Sequence, residues 1–268
     1  MYIPSISIDL ANRIERAEKN ILSSRLDTLK QLTGNPLGIE VEEWGGVSLF
    51  SCKGIPGPSF NKVIGLTSKE EKYVDDMINF YDKRKIACQL EIIPEVTSPS
   101  FLKWLHSKGF YQSSFRTALY GIPEKYDNNY PNLSITEMKA DDFAVFGDIY
   151  VDGFGLPSFL SQSIADNNKV LHKVPDWHFY LAKEGDKPLG LGVYYKQDKT
   201  AILAAAATRQ QDRGKGSHSA LISRRITQAF LDDCDLVVGQ AAFASTSMQN
   251  MQRKGMQIAY TKAIWTRA

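Results

Sequence analysis

Cysteine is scarce in this chain of 268 residues, with Cys52, Cys88 and Cys234 its full complement. An odd number, with no CxxC pair and no Cys/His ligand spacing, argues against a disulfide framework and a zinc centre. The expectation is three structural thiols in a reducing compartment and no metal. An excess of one charge is missing too. Lys and Arg total 32 against 30 Asp and Glu, so no basic field exists to demand nucleic acid or anionic lipid. The basic pairs Arg224-Arg225 and Arg253-Lys254 therefore read as solvated helix faces. Long apolar runs are absent as well, and none approaches the roughly 20 residues that span a bilayer. Asp9, Arg13 and Glu15 sit where a secretory leader needs an apolar core. No membrane and no nucleic acid is expected as partner, and the expected location is cytoplasmic. Apolar residues make up 43%, enough at this length for two ordinary cores.

What the chain does contain is a diverged copy of itself. Cys88-Gln89-Leu90 matches Cys234-Asp235-Leu236, and Lys108-Gly109-Phe110 matches Lys254-Gly255-Met256, both at an offset of 146 residues. Internal repeats of this kind mark repeated architecture. One residue of slippage then aligns Phe115, Ala118, Leu119 and Tyr120 with Tyr260, Ala263, Ile264 and Trp265. Each copy reads as helix, buried strand, short helix ending at glycine, and alternating strand. The polar, turn-rich stretch Lys125–Pro131 separates them. Two domains follow, residues 1–128 and 133–268.

In the first copy the pattern predicts a helix over Ile8–Leu32 ended by Gly34-Asn35-Pro36. Short strands at Ile39–Trp44 and Val47–Cys52 meet at Gly45-Gly46, a hairpin signal. A strand at Lys62–Leu66 feeds a helix after Thr67-Ser68, and a buried strand at Ala87–Ile93 precedes a helix over Pro99–Lys108. In the second copy, a strand opens at Ile135 and Asp141-Asp142 cap a helix through about Val151. Strands follow at Trp177–Lys183, Leu189–Lys196 and Ala201–Thr208. Helix Ser217–Asp232, strand Leu236–Gln240, helix Ser245–Lys254 and strand Ile258–Arg267 complete it.

Between the Ala201–Thr208 strand and the Ser217 helix runs Gln211-Asp212-Arg213-Gly214-Lys215-Gly216-Ser217-His218-Ser219. Two glycines let backbone N–H groups curl around an anion with no Cβ in the way. The helix that begins at once aims its unpaired N–H groups and positive dipole end at the same point. Arg213 and Lys215 can add charge. A diphosphate suits such a loop. The loop is neither GxxxxGK[ST] nor GxGxxG, which excludes a Walker A loop and a Rossmann fingerprint. His218, in the first helical turn, has an ordinary solvent-facing reading beside a phosphate-contacting one.

The run Gln211 to Gly216 resembles the acetyl-CoA pyrophosphate loop of GNAT-superfamily N-acetyltransferases, Arg/Gln-x-x-Gly-x-Gly/Ala after the fourth strand. Gln211, Gly214 and Gly216 fit, while His218 stands where many members carry Gly or Ala. The resemblance implies an α+β (α/β) fold of two tandem GNAT-like domains, each a mixed, mostly antiparallel sheet flanked by helices. It implies acetyl-CoA as co-substrate, held by Ala206, Ala207, Thr208, Gln211, Arg213, Gly214, Lys215, Gly216, Ser217, His218 and Ser219. The strand Ala204–Thr208 would splay from Leu236–Gln240, and a neutral amine of a small molecule or peptide would attack the thioester carbonyl. A backbone N–H near Ala206 would polarise the acyl oxygen.

The catalytic groups are less legible. The family's proton-donating Tyr falls, counting back from Gly255, on Met251, which has no proton to give. Expelling bare thiolate at pH 7 costs about 2 kcal/mol for a thiol pKa near 8.5. Ser247, one turn earlier on the same helix face, is the weak candidate for a sulfur hydrogen bond, and Asn250 points elsewhere. Ser247 also reads as a capping hydroxyl. Tyr194, Tyr195, His178 and Asp152 are near the expected cleft with no specific claim to act as base. The segment Asp152–Pro157 suits an acceptor-binding loop and a plain turn equally. In the first copy the same offset gives Leu66-Thr67-Ser68-Lys69-Glu70-Glu71, without glycine and with two carboxylates where an anion would rest. That copy is expected to be degenerate. The alternative function is a non-catalytic acyl-CoA-binding or sensor protein; the sequence carries no signal for oligomeric state.

Overall fold

The computed structural model describes residues 3–94, 97–127 and 129–267. Helix α1 (Ile8–Lys30) starts where the Ser7 hydroxyl accepts the Leu10 N–H at 3.2 Å, supplying one of the acceptors a helix start lacks. Ala11, Ile14, Ala17, Leu26 and Leu29 lie on its buried face, a spacing that puts one stripe against a core. It is followed by strands β1 (Ile39–Trp44), β2 (Val47–Cys52) and β3 (Lys62–Ile64). A 3-10 turn at Ser68–Tyr73 leads into α2 (Val74–Arg84), then β4 (Gln89–Ile92), α3 (Pro99–Ser107) and β5 (Phe110–Gly121). The second half runs β6 (Ser134–Glu137), α4 (Phe143–Phe154), α5 (Ser161–Lys169), β7 (Trp177–Glu184), β8 (Lys187–Gln197) and β9 (Thr200–Thr208). It ends with α6 (Ser217–Leu231), β10 (Leu236–Ala241), α7 (Thr246–Gln252) and β11 (Gln257–Arg267). The expected elements are present within a few residues. Helix α5 is not among the expected elements, since its sequence SQSIADNNK buries only Ala165 and Asn168 and so carries little apolar periodicity.

The chain packs as two units. The N-terminal unit comprises Ser5–Ala118 and residues 258–267; the C-terminal unit comprises Leu119–Gln257 with residues 3–4. This differs from the expected division into 1–128 and 133–268, whose limits Asn128 and Ala268 lie outside the described residues. Residues 119–127 pack with the C-terminal unit, and the last strand packs with the N-terminal one. In the N-terminal unit the order is β1-β2-β3-β4-β11-β5, and β11 runs antiparallel to β4 with Ala263 opposite Ile92 and Trp265 opposite Leu90. Trp265 is buried there with Leu90, Phe101 and Leu105. Since β5 and β11 carry matching alternation, their sequences specify a strand but not which β4-like neighbour it joins.

In the C-terminal unit the order is β10-β9-β8-β7-β6. Its pairs are antiparallel except β9 with β10. The N-terminal unit repeats this arrangement, with β2 and β3 antiparallel and β3 and β4 parallel.

Candidate functional site

In the C-terminal unit β9 and β10 pair in parallel only from Thr200 with Leu236 to Leu203 with Gly239. Beyond that level both strands continue, β9 to Thr208 and β10 to Ala241, without pairing each other. At the same level β9 carries an extra residue. Gly192 of β8 faces Ala206, but Tyr194 faces Leu203, so two steps on β8 correspond to three on β9. Such a bulge bends its strand and re-aims the backbone. The outcome is a cleft of about 820 Å³ with Ala204–Thr208 on one wall and Gln240–Ala242 on the other. It is closed at one end by the loop after β9 and flanked by α7 through Ser245, Ser247, Asn250 and Met251.

The loop keeps its N–H groups free. Gly216 is the N-cap of α6, with φ of +87° and no side-chain cap. The first main-chain bond of the helix is Ala220 N–H to the Gly216 carbonyl at 2.9 Å. Among the described residues no acceptor pairs with the amides of residues 214–219. Unpaired helix-start donors with a positive dipole end make a strong anion cradle. A Cβ at Gly216 would fall 2.9 Å from the Tyr130 ring, whereas a Cβ at Gly214 (φ +82°) meets nothing within 4 Å. The cradle is therefore backed by Tyr130 and open in front of Gly214. A diphosphate fits these features.

Most residues expected to hold acetyl-CoA line this cleft: Ala206, Ala207, Thr208, Arg213, Gly214, Gly216, Ser217, His218 and Ser219. Gln211 and Lys215 are not in its lining. Gln210 is engaged instead, with its N–H on Asp152 Oδ2 at 2.8 Å and its Nε2 on the Asp152 carbonyl at 2.9 Å. The two basic side chains are also spent locally. Arg213 donates to the Gly153 carbonyl at 2.8 Å, and Lys215 pairs with Asp212 at 3.0 Å and Glu184 at 3.1 Å. Asp212 is buried beneath the loop, where hydrogen bonds from Lys187 and then Lys215 hold its carboxyl below the usual range. With both cations paired locally, the donors left facing the cleft are main-chain amides rather than charged side chains.

His218 departs from its solvent-facing reading. It is half-buried in the cleft wall, with Nδ1 3.0 Å from Asn250 Nδ2. Arg253 donates to Asn250 Oδ1 at 2.7 Å, so the amide nitrogen is the atom facing the imidazole. Nδ1 then accepts and the proton sits on Nε2, an assignment made from the hydrogen-bond network. Burial, reinforced by the charge of Arg225, pushes the imidazole down to about 4. His218 is neutral at pH 7 and offers an N–H.

The remaining candidates separate cleanly. Ser247 lines the cleft, and the helix is capped by Ser245, which accepts the Met248 N–H at 3.2 Å. Met251 is buried against Gly239, where a Cβ would lie 3.2 Å from its sulfur. Tyr194 donates to Asp232 at 2.7 Å, His178 faces Glu137 at 2.7 Å, and Asp152 receives Gln210. None of these, nor Tyr195, lines the cleft. Of the Asp152–Pro157 segment, Gly153 and Phe154 do, and Gly153 is a packing requirement. A Cβ there would sit 2.9 Å from Ala207 Cβ and 3.0 Å from the Thr208 carbonyl. The expectation that Arg225 is solvated is wrong. Its side chain is completely buried, because α6 turns that face onto β8.

The N-terminal unit has a cleft of about 590 Å³ at the matching place, lined by Leu66–Glu70, Glu15 and Glu91. Its helix start is already occupied. The Glu70 carboxylate takes the Thr67 N–H at 3.2 Å and the Thr67 hydroxyl, and the Lys69 N–H goes to Thr67 Oγ1 at 3.1 Å. This capping box satisfies internally the donors that an anion would need. Deeper in that unit, buried Glu91 lies between Lys62 at 2.7 Å and Lys262 at 3.0 Å, and Lys262 also meets Glu15 at 2.8 Å.

No helix among the described residues is long and apolar enough to cross a membrane. Among the same residues, no group of His, Cys, Asp and Glu is placed to hold a metal.

No family model matches the chain, and no curated protein is similar to it in sequence. Solved structures are similar in fold. A GCN5-related N-acetyltransferase from Kribbella flavida superposes with TM-score 0.65 at 11% identity, over 95% of each chain. One from Sphaerobacter thermophilus gives 0.58 at 11% identity, covering 99% of this chain and 95% of that one. A tandem GNAT protein from the clavulanic acid biosynthesis pathway gives 0.57 at 13% identity, covering 92% and 94%. The chain has the fold of GNAT acetyltransferases.

Proposed function

We propose that the C-terminal unit binds acetyl-CoA and transfers its acetyl group to the amine of a small molecule or peptide. The observation that carries this reading is the set of unpaired amides over residues 214–219 at the end of a cleft made by parted strands. Those amides, from Gly214 through Ser219, would hold the diphosphate. The β9 wall, Ala206 to Thr208, would pair with the amides of the pantetheine arm. Gln211 and Lys215, outside the lining, would contribute little. In the reaction the amine nitrogen bonds to the acyl carbon, the C–S bond breaks, and the proton lost by nitrogen balances the one gained by sulfur. Ser247 and the Nε2–H of His218, both in the cleft lining, are the candidates we name to donate a hydrogen bond to the departing sulfur. The reading of the N-terminal unit as a degenerate copy draws support from the Thr67–Glu70 capping box at its matching helix start.

Thermal denaturation with acetyl-CoA, with CoA and without ligand tests the binding step. A ligand at about 100 times its Kd stabilises by about 2.7 kcal/mol. Release of free thiol across a panel of amines then identifies the acceptor. A second reading, a non-catalytic acyl-CoA-binding or sensor protein, draws support from Met251 buried at the position of the family's acid. Acyl-CoA binding with no thiol release to any amine would select it.

A further inference from the structure

Arg225 is the largest side chain buried at 0% exposure, and it has no carboxylate partner among the described residues. Its Nε donates to the Leu221 carbonyl at 3.0 Å and one terminal nitrogen to the Val193 carbonyl at 3.1 Å. The other terminal nitrogen has no partner. An isolated buried cation is costly, and burial pushes the guanidinium down to about 10. Its position explains what it accomplishes. Val193 is the one β8 residue that the register with β9 skips, between Gly192 opposite Ala206 and Tyr194 opposite Leu203. A Cβ at Gly192 would lie 3.1 Å from Arg225 Nε and 3.3 Å from Cζ, so the strand thins to a glycine to admit the guanidinium. The arginine is thus seated against the β8 segment that faces the bulge of β9, at the level where β9 leaves β10.

We propose that Arg225 is a positioning residue for acyl transfer. By holding the Val193 carbonyl it keeps the extra residue of β9 out of the ladder, so that an N–H within Ala204–Ala206 is directed at the acyl oxygen of the bound thioester. The uncompensated charge behind the strand favours the negative charge that grows on that oxygen. This rests on the C-terminal unit being an acyl-CoA site. Arg225 touches no substrate atom in this role; it acts through the backbone and the field. Its charge also reinforces the burial that keeps His218 neutral, two helical turns earlier on the same helix.

The test uses acetyl-CoA labelled with 13C at the thioester carbonyl, bound to the full-length protein, and reads the carbonyl stretch by difference infrared spectroscopy. Wild-type protein is expected to lower the stretching frequency relative to free acetyl-CoA. Arg225→Met is expected to bind the label within about threefold, because the loop amides are untouched, and to lose most of the frequency shift. Arg225→Lys keeps a cation but loses the planar fork, and should retain less than half of it. With an acceptor in hand, thiol release by Arg225→Met should fall about 10- to 100-fold, the usual consequence of misaligning a reacting group. An unchanged carbonyl shift in the variants overturns the proposal and leaves Arg225 as packing. If Arg225→Met fails to fold, the lysine variant decides by the same criterion. Failure of wild-type protein to bind the label instead refutes the acyl-CoA reading itself.

Discussion

Replacing Gly214 by alanine separates a binding defect from a folding defect, because the structure sets the two magnitudes apart. Gly214 sits at φ +82° with nothing within 4 Å of a built Cβ. The variant therefore suffers only the left-handed penalty of an L-residue, about 1–2 kcal/mol. The new methyl, however, enters the open space at Gly214 in the cleft lining, which the proposed diphosphate would have to share. A 100-fold loss of affinity would cut the stabilisation at a fixed CoA concentration of 100 wild-type Kd from about 2.7 to about 0.4 kcal/mol. For a unit of this size 1 kcal/mol moves Tm by about 2–4 °C, so the CoA-induced shift should shrink from about 5–11 °C to about 1–2 °C. Scanning fluorimetry of both proteins with and without CoA is sufficient, following the transition that responds to ligand. If alanine leaves the ligand-induced shift intact while lowering Tm by the expected amount, the loop is an ordinary turn and the cradle argument is wrong. Gly216→Ala differs usefully, since its Cβ meets the Tyr130 ring at 2.9 Å and should depress Tm further.

Three other outcomes follow from the same geometry. His218 is held neutral with a folded value of about 4 against an ordinary 6.5, so the unfolded chain takes up its proton first as pH falls. Its contribution is complete above pH 6.5 and is lost progressively down to pH 4, about 2–3 kcal/mol after allowance for partial exposure. His218→Asn should flatten that part of the stability profile, and profiles that superimpose would refute it. Lys262→Met leaves Glu15 and Glu91 in the N-terminal unit without their shared cation, an imbalance worth about 3–5 kcal/mol. Urea unfolding with an unchanged midpoint would contradict that assignment. Gly153→Ala drives a methyl onto Ala207 and the Thr208 carbonyl and should cost about 1–3 kcal/mol, with weaker CoA binding as β9 shifts; full stability in a thermal melt would show that α4 gives way freely.

The elements and the loop are legible in the residues alone, because both depend on near neighbours. A short unbroken apolar run over residues 201–207 between turn residues reads as a buried strand, the Gly214-Lys215-Gly216 run opens the backbone, and Ser217 onward is a helix whose first amides have no upstream carbonyl. Those facts survive whatever the rest of the chain does. Whatever needs a partner from afar is set by packing. Periodicity could not say that β11 would join β4 rather than follow its own copy, since β5 and β11 carry equivalent patterns. The pair Thr67 and Glu70 read only as missing glycine and excess charge, whereas folding closes them into a capping box at the start of their helix. Arg224-Arg225 reads as one basic dipeptide, yet consecutive helical residues are about 100° apart. That rotation sets Arg224 over the Tyr180 ring and buries Arg225 at the β8 carbonyl left over by the bulge. Charge pattern gives the solvated face as the default for such a pair; only the packing of α6 on β8 selects which arginine leaves it.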